Sequence, residues 1–144
     1  MLELQDIVEF LGKVPLFQSL KRGQLERLAK VATVREYQGD QDIVTQGKGG
    51  AGLFIIMSGK AEAIRVRSDG SQAVVNIFVR TDFFGELALL HDGPRTASVV
   101  ATEPTQCLAL TRWDFLSVLR DDAEMAILIL EEVAFRFRMA LDVL

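Results

Sequence analysis

The chain has 144 residues, 49% hydrophobic and 25% charged, the make-up of one compact domain with a real core. A net charge of −4, a pI near 5.0 and no basic block make it a poor binder of duplex DNA, which is held by neutralising phosphates. No apolar run is long enough to span a membrane, the start lacks a secretion-signal pattern, and the single cysteine, Cys107, excludes an internal disulfide. A cytoplasmic location is therefore the expectation.

Leu4, Ile7, Val8 and Leu11 recur at helical spacing and predict a first helix, ended by Gly12 and Pro15. A second helix is expected near Gln24 to Val31, with Leu25, Leu28 and Ala29 on one face. The period then changes. Val34–Tyr37 and Asp42–Thr45 read as short strands bounded by Gly39-Asp40 and Gly47. Leu53–Met57 is a continuous apolar run, as a buried strand should be, and Ala61–Arg67 alternates, so one face is expected to be wet. Met57-Ser58-Gly59-Lys60 reads as a tight hairpin between them. Ser68-Asp69-Gly70 turns the chain into Ala73–Val79, and Ala97–Ala101 and Gln106–Leu110 follow as further strands. Cys107, in an apolar run, reads as a small core residue. Trp113, Leu116 and Leu119 mark a third helix, and Met125–Leu144 a fourth, with Asp121-Asp122 at its start. Many short strands at regular spacing predict a β-sandwich or roll. No linker or repeat divides the chain, so a single domain is expected: helical over 1–32, β-roll over 33–111, and helical again over 112–144.

Between the strands lies Phe84-Gly85-Glu86-Leu87-Ala88-Leu89-Leu90-His91-Asp92-Gly93-Pro94-Arg95-Thr96-Ala97. Gly85 lets the backbone approach a ligand or take an unusual angle. Leu87 to Leu90 are good helix formers for about one turn, whose first N–H groups have no partner within the helix and favour an anion. Asp92-Gly93-Pro94 turns the chain, so that Arg95 can return beside the helix start and grip two phosphate oxygens. Glu86 is an acceptor-only carboxylate and suits a ribose hydroxyl better than a phosphate.

This run resembles the phosphate-binding cassette of the cyclic nucleotide-binding domain family. The family pattern reads Phe-Gly-Glu-apolar-Ala-Leu, a short variable turn, then Pro-Arg-x-Ala, and each position is matched. The resemblance covers nearly the whole chain. It implies two N-terminal helical pieces, an eight-stranded β-roll with the cassette inside it, and two C-terminal lid helices. It also implies a ligand, cyclic AMP or cyclic GMP, held by Phe84, Gly85, Glu86, Leu87, Ala88, Arg95, Thr96 and Ala97. On the last helix Phe135, Arg136, Phe137, Arg138 and Met139 crowd two turns. Packing is the plain reading of these side chains. The alternative is a cap over the purine base, with Arg136 or Arg138 stacking on it and Phe135 or Met139 shielding it. The same helix in this family often pairs with a second copy.

Other chemistry is poorly supplied. The lone histidine, His91, falls in the variable turn of the cassette and lacks partners for a metal site or a nucleophilic relay. Gly47-Lys48-Gly49-Gly50 lacks the leading glycine and trailing hydroxyl of a triphosphate loop and reads as a hairpin turn. The expectation is therefore a cyclic nucleotide sensor rather than an enzyme, with no cofactor, no metal, no direct nucleic-acid contact and no membrane contact of its own. Its ligand would be cyclic AMP rather than cyclic GMP, and binding would shift the C-terminal helices. Its output passes through a second copy, an output domain or a partner protein. The rival expectation is a fragment of a transcription regulator of the catabolite activator type, or of a channel or kinase, whose output domain is missing.

Overall fold

A computed structural model of the chain describes residues 2–48, 52–85 and 95–142. They form two compact units, residues 32–112 and the flanking helical segments 1–31 and 113–144.

The first unit is the β-roll. Its strands are β1 (Thr33–Tyr37), β2 (Asp42–Val44), β3 (Gly52–Ser58), β4 (Ala61–Val66), β5 (Gln72–Phe78), β6 (Phe83–Phe84), β7 (Ser98–Ala101) and β8 (Thr105–Thr111). They make two four-stranded antiparallel sheets, in the orders β1-β8-β3-β6 and β2-β7-β4-β5. The eight-stranded roll is thus the one the family resemblance implies, with β6 added to the seven strands read from the residues. β3 is the continuous apolar run and is buried along almost its whole length. In β4, Ala61 and Ala63 are buried and alternate with the half-buried Glu62 and Ile64. The inner cluster is Ile56, Ala61, Ala63, Phe84, Val99 and Cys107, with Tyr37, Ile43, Val44, Phe54, Phe78 and Ala97 packed against it. Burial pushes the Cys107 thiol up to about 12, as expected for a small core residue.

The β3–β4 hairpin requires glycine. Gly59 has φ +92°, and a Cβ there would strike the Pro104 carbonyl and lie 2.5 Å from Thr105 Oγ1. That hydroxyl instead accepts the Lys60 N–H at 3.2 Å.

The second unit holds α1 (Leu4–Gly12), a short 3-10 turn (Pro15–Phe17), α2 (Arg22–Val31), α3 (Arg112–Arg120, from its second residue on) and α4 (Ala123–Asp142). Asp6 caps α1 by accepting the Glu3 N–H at 2.9 Å, and Gln24 caps α2 by accepting the Lys21 N–H at 2.8 Å. α1 packs on α2, and the 3-10 turn packs on α4. Phe17 meets Phe115 of α3 with ring centroids 6.4 Å apart. Asp122 starts α4, accepting the Met125 N–H at 3.0 Å, and also receives Gln24 Nε2 at 3.2 Å and the Arg27 guanidinium. No helix among the described residues is long and apolar enough to cross a membrane.

Candidate functional site

The cassette begins at β6, and three contacts place that strand. The Thr81 N–H donates to the Ile56 carbonyl and the Ile56 N–H to the Asp82 carbonyl, both at 2.9 Å. Arg80 donates to the Met57 carbonyl at 2.7 Å. Phe84 then turns inward. Its ring stacks on Phe54, with centroids 5.4 Å apart and planes 10° from parallel, and meets Phe78 at 5.0 Å. Phe84 is 6% exposed, so in this structure it is a core residue whose packing fixes where Gly85 begins.

Gly85 has φ +89°, in the left-handed region that glycine alone enters cheaply. A Cβ there would run into the Gly52 carbonyl and lie 2.8 Å from Arg95 Nη1. The absence of a side chain at residue 85 thus makes room for the guanidinium. Arg95 Nη2 donates to the same Gly52 carbonyl at 3.3 Å.

The cassette ends at a second anchored point. The Gly47 N–H donates to the Arg95 carbonyl at 2.8 Å, and the Arg95 N–H to the Lys48 carbonyl at 3.1 Å. The Gln46 N–H donates to Ser98 Oγ at 2.8 Å. The Gln46 amide also bridges to Val66 of β4, donating to its carbonyl at 3.0 Å and accepting its N–H at 2.8 Å. Gly47, with φ +79°, sits in the turn expected there. Thr96 is exposed, and its carbonyl accepts from Arg65 Nε at 3.3 Å. Ala97 packs on the inner cluster.

The roll therefore brings together Phe84, Gly85, Arg95, Thr96 and Ala97. Glu86, Leu87, Ala88 and His91 lie outside the described residues. Arg136 is an exposed residue of α4, in the helical unit, where Phe135 and Phe137 are 55% and 65% exposed.

Beside Arg95 the roll holds a cavity of 340 Å³, whose lining includes Arg35, Thr45, Lys48, Phe54 and Thr111. Sequence reasoning did not assign Arg35 or Lys48 to a site. No local motif marks them, because strand register and the turn's hydrogen bonds bring them to Arg95.

The antiparallel roll thus brings Arg95 and the left-handed Gly85 together beside one cavity, a candidate ligand site. The chain belongs to the cyclic nucleotide-binding domain family, whose model matches residues 34–122. Domains of this family are regulatory rather than catalytic. Among relatives, the chain is 35% identical over 127 residues, 88% of its length, to the cAMP-dependent protein kinase regulatory subunit of Mycosarcoma maydis. It is 36% identical over 104 residues, 72% of its length, to the cGMP-dependent protein kinase of Eimeria tenella. It spans 21% of the first of these proteins and 10% of the second. The N-terminal domain of a transcriptional regulator from Streptomyces coelicolor A3(2) superposes with a TM-score of 0.83 at 28% identity, covering 93% of this chain and 94% of that one.

Proposed function

We propose that this domain senses a cyclic purine monophosphate, with cyclic AMP preferred to cyclic GMP, and has no catalytic chemistry of its own. The observation that carries the reading is the guanidinium of Arg95 held against the side-chain-free Gly85. This places a fixed two-pronged cation where the cassette begins. In this reading Arg95 neutralises the phosphate. N–H groups from Gly85 to Ala88 complete its cradle, and Glu86 holds the ribose hydroxyl. Thr96 stands next to the phosphate, and Phe84 and Ala97 support the walls. Arg136 on α4 caps the base.

Ligand binding draws the C-terminal helices toward the closed state and shifts a two-state equilibrium. The output passes to a second copy through α4, to an output domain, or to a partner protein in the cytoplasm. The preference for cyclic AMP is supported by the cAMP-dependent name of the kinase regulatory subunit, which is matched over more of the chain. The cGMP-dependent relative is the reason that both ligands need testing.

Calorimetric titration of the purified chain with each nucleotide tests the reading. One saturable site, tighter for cyclic AMP, is expected. No binding of either nucleotide to the folded protein overturns it.

A further inference from the structure

α4 packs on the 3-10 turn of its own unit, and Met125 and Ile129 are its buried residues. A different face carries Ile127, Leu130, Ala134, Phe137 and Leu141, all of them exposed. Their spacings are three, four, three and four residues. That is the repeat of a seam that receives a second helix, with Ile127, Ala134 and Leu141 as one row and Leu130 and Phe137 as the other. An exposed apolar stripe of this kind marks an interaction surface.

The two flanks of the seam differ. One carries Glu131 and Arg138, both exposed. The other carries Ala126, Val133 and Ala140, without charge. Neither Glu131 nor Arg138 belongs to an ion pair found among the described residues.

These unlike charges select the direction of a second copy of the helix. In a parallel pair each flank faces the opposite flank of the partner, so Glu131 and Arg138 would meet only alanine and valine. In an antiparallel pair like flanks face each other across the two-fold axis. Glu131 then meets Arg138 of the partner, and Arg138 meets Glu131 of the partner. Flanking charges of this kind set the orientation of paired helices.

The seam itself agrees. Antiparallel pairing sets Ala134 against Phe137 of the partner, so the layers beside the axis each hold one small and one large side chain. It sets Leu130 against Leu141 of the partner in the layers outside them. Parallel pairing would stack Ala134 on its own copy and Phe137 on its own copy, leaving one layer empty and crowding the next.

We infer that the chain forms an antiparallel homodimer through α4, with its register set by Glu131 and Arg138. Phe135, Arg136 and Met139 lie off the seam, so pairing leaves the candidate base-capping residues on another side of the helix. The inference goes beyond the reading above, which leaves the output and the helix direction open, and it holds whatever ligand the roll takes.

Sedimentation of the full chain without nucleotide, over a range of concentrations, should show a monomer–dimer equilibrium. Glu131→Arg and Arg138→Glu each place like charges together at two points, and each should weaken the dimer about tenfold or more. The two variants mixed should pair with each other to within about threefold of wild-type strength, because each supplies the charge the other has lost. Direction is read by oxidising added cysteines, with the native Cys107 buried. A mixture of Leu130→Cys and Leu141→Cys chains should cross-link to each other, and Leu141→Cys chains alone should not. All four substitutions sit at exposed positions, and circular dichroism melts check that each variant folds.

A wild-type chain that stays monomeric at every concentration overturns the dimer and leaves the seam to a different partner. Leu141→Cys chains that cross-link alone, or charge reversals that leave the dimer unchanged, overturn the antiparallel direction. None of these outcomes touches the cyclic nucleotide reading, which falls only with the titration.

Discussion

The guanidinium of Arg95 occupies space that any side chain at residue 85 would invade: a Cβ on Gly85 would lie 2.8 Å from Arg95 Nη1 and would overlap the Gly52 carbonyl, which accepts a hydrogen bond from Nη2. Two residues ten positions apart in the cassette thus depend on one another. Gly85→Ala should cost about 1–2 kcal/mol from the left-handed backbone alone. It should also displace the guanidinium, so ligand affinity should fall further than the loss of stability explains. Thermal melts alongside titrations check this. A variant with unchanged melting and unchanged affinity would show that the glycine is dispensable.

A second prediction concerns Glu86. If its carboxylate holds the ribose hydroxyl, Glu86→Ala should weaken cyclic AMP strongly and barely affect its 2′-deoxy analogue. A cycle of protein and ligand changes measures the coupling. Equal losses for both ligands assign Glu86 to the local backbone instead.

Thr96 bears on which purine is read. It is exposed beside Arg95, and its hydroxyl can donate to a phosphate oxygen while accepting from a guanine amino group. Adenine has no such group at that position. Thr96→Ala should therefore cost cyclic GMP about 1 kcal/mol more than cyclic AMP, the scale of one net hydrogen bond. Parallel titrations of both ligands measure the difference, and equal losses would show that the base is read elsewhere.

Acid should act on the helical unit through Asp122. The Met125 N–H, then the Gln24 amide, and then the Arg27 guanidinium hold its carboxyl below the usual range. A carboxyl depressed in the folded state stabilises fully above its unfolded value of about 3.9, and that contribution is lost as the pH falls through the lower folded value. The melting temperature should therefore drop below about pH 4. Asp122→Asn should flatten this decline, because asparagine caps a helix but does not titrate. Circular dichroism melts across the acid range test it. An identical acid decline in the variant removes Asp122 from the account.

Much of the architecture was legible because its periodicities are strong. β3 shows itself as Leu53–Met57, β8 as Gln106–Leu110, and α4 starts at Asp122 as its capping carboxylate suggests. β6 was not legible. Two residues carry no period, and Phe83–Phe84 becomes a strand only by pairing with Ile55 and Phe54. Pro15 ended the first helix as read, yet the chain continues as a 3-10 turn that buries Leu16 and Phe17. At the site, Gly85 and Arg95 stood out because they are parts of one contiguous motif. Arg35, Lys48 and Gly52 did not, since strand register brings Arg35 to the same cavity, and hydrogen bonds tie Lys48 and Gly52 to Arg95 from segments distant in sequence.

The central claim is that Arg95 holds the ligand phosphate, and titration of cyclic AMP into Arg95→Ala and Arg95→Lys tests it most directly. Truncating one partner of a desolvated charged pair costs about 2–5 kcal/mol, or roughly 30- to 4,000-fold in affinity. Arg95→Ala should lose binding on that scale while the roll still melts cooperatively. Arg95→Lys should also bind poorly, because an ammonium lacks the two-pronged geometry. Wild-type affinity in either folded variant would contradict the account.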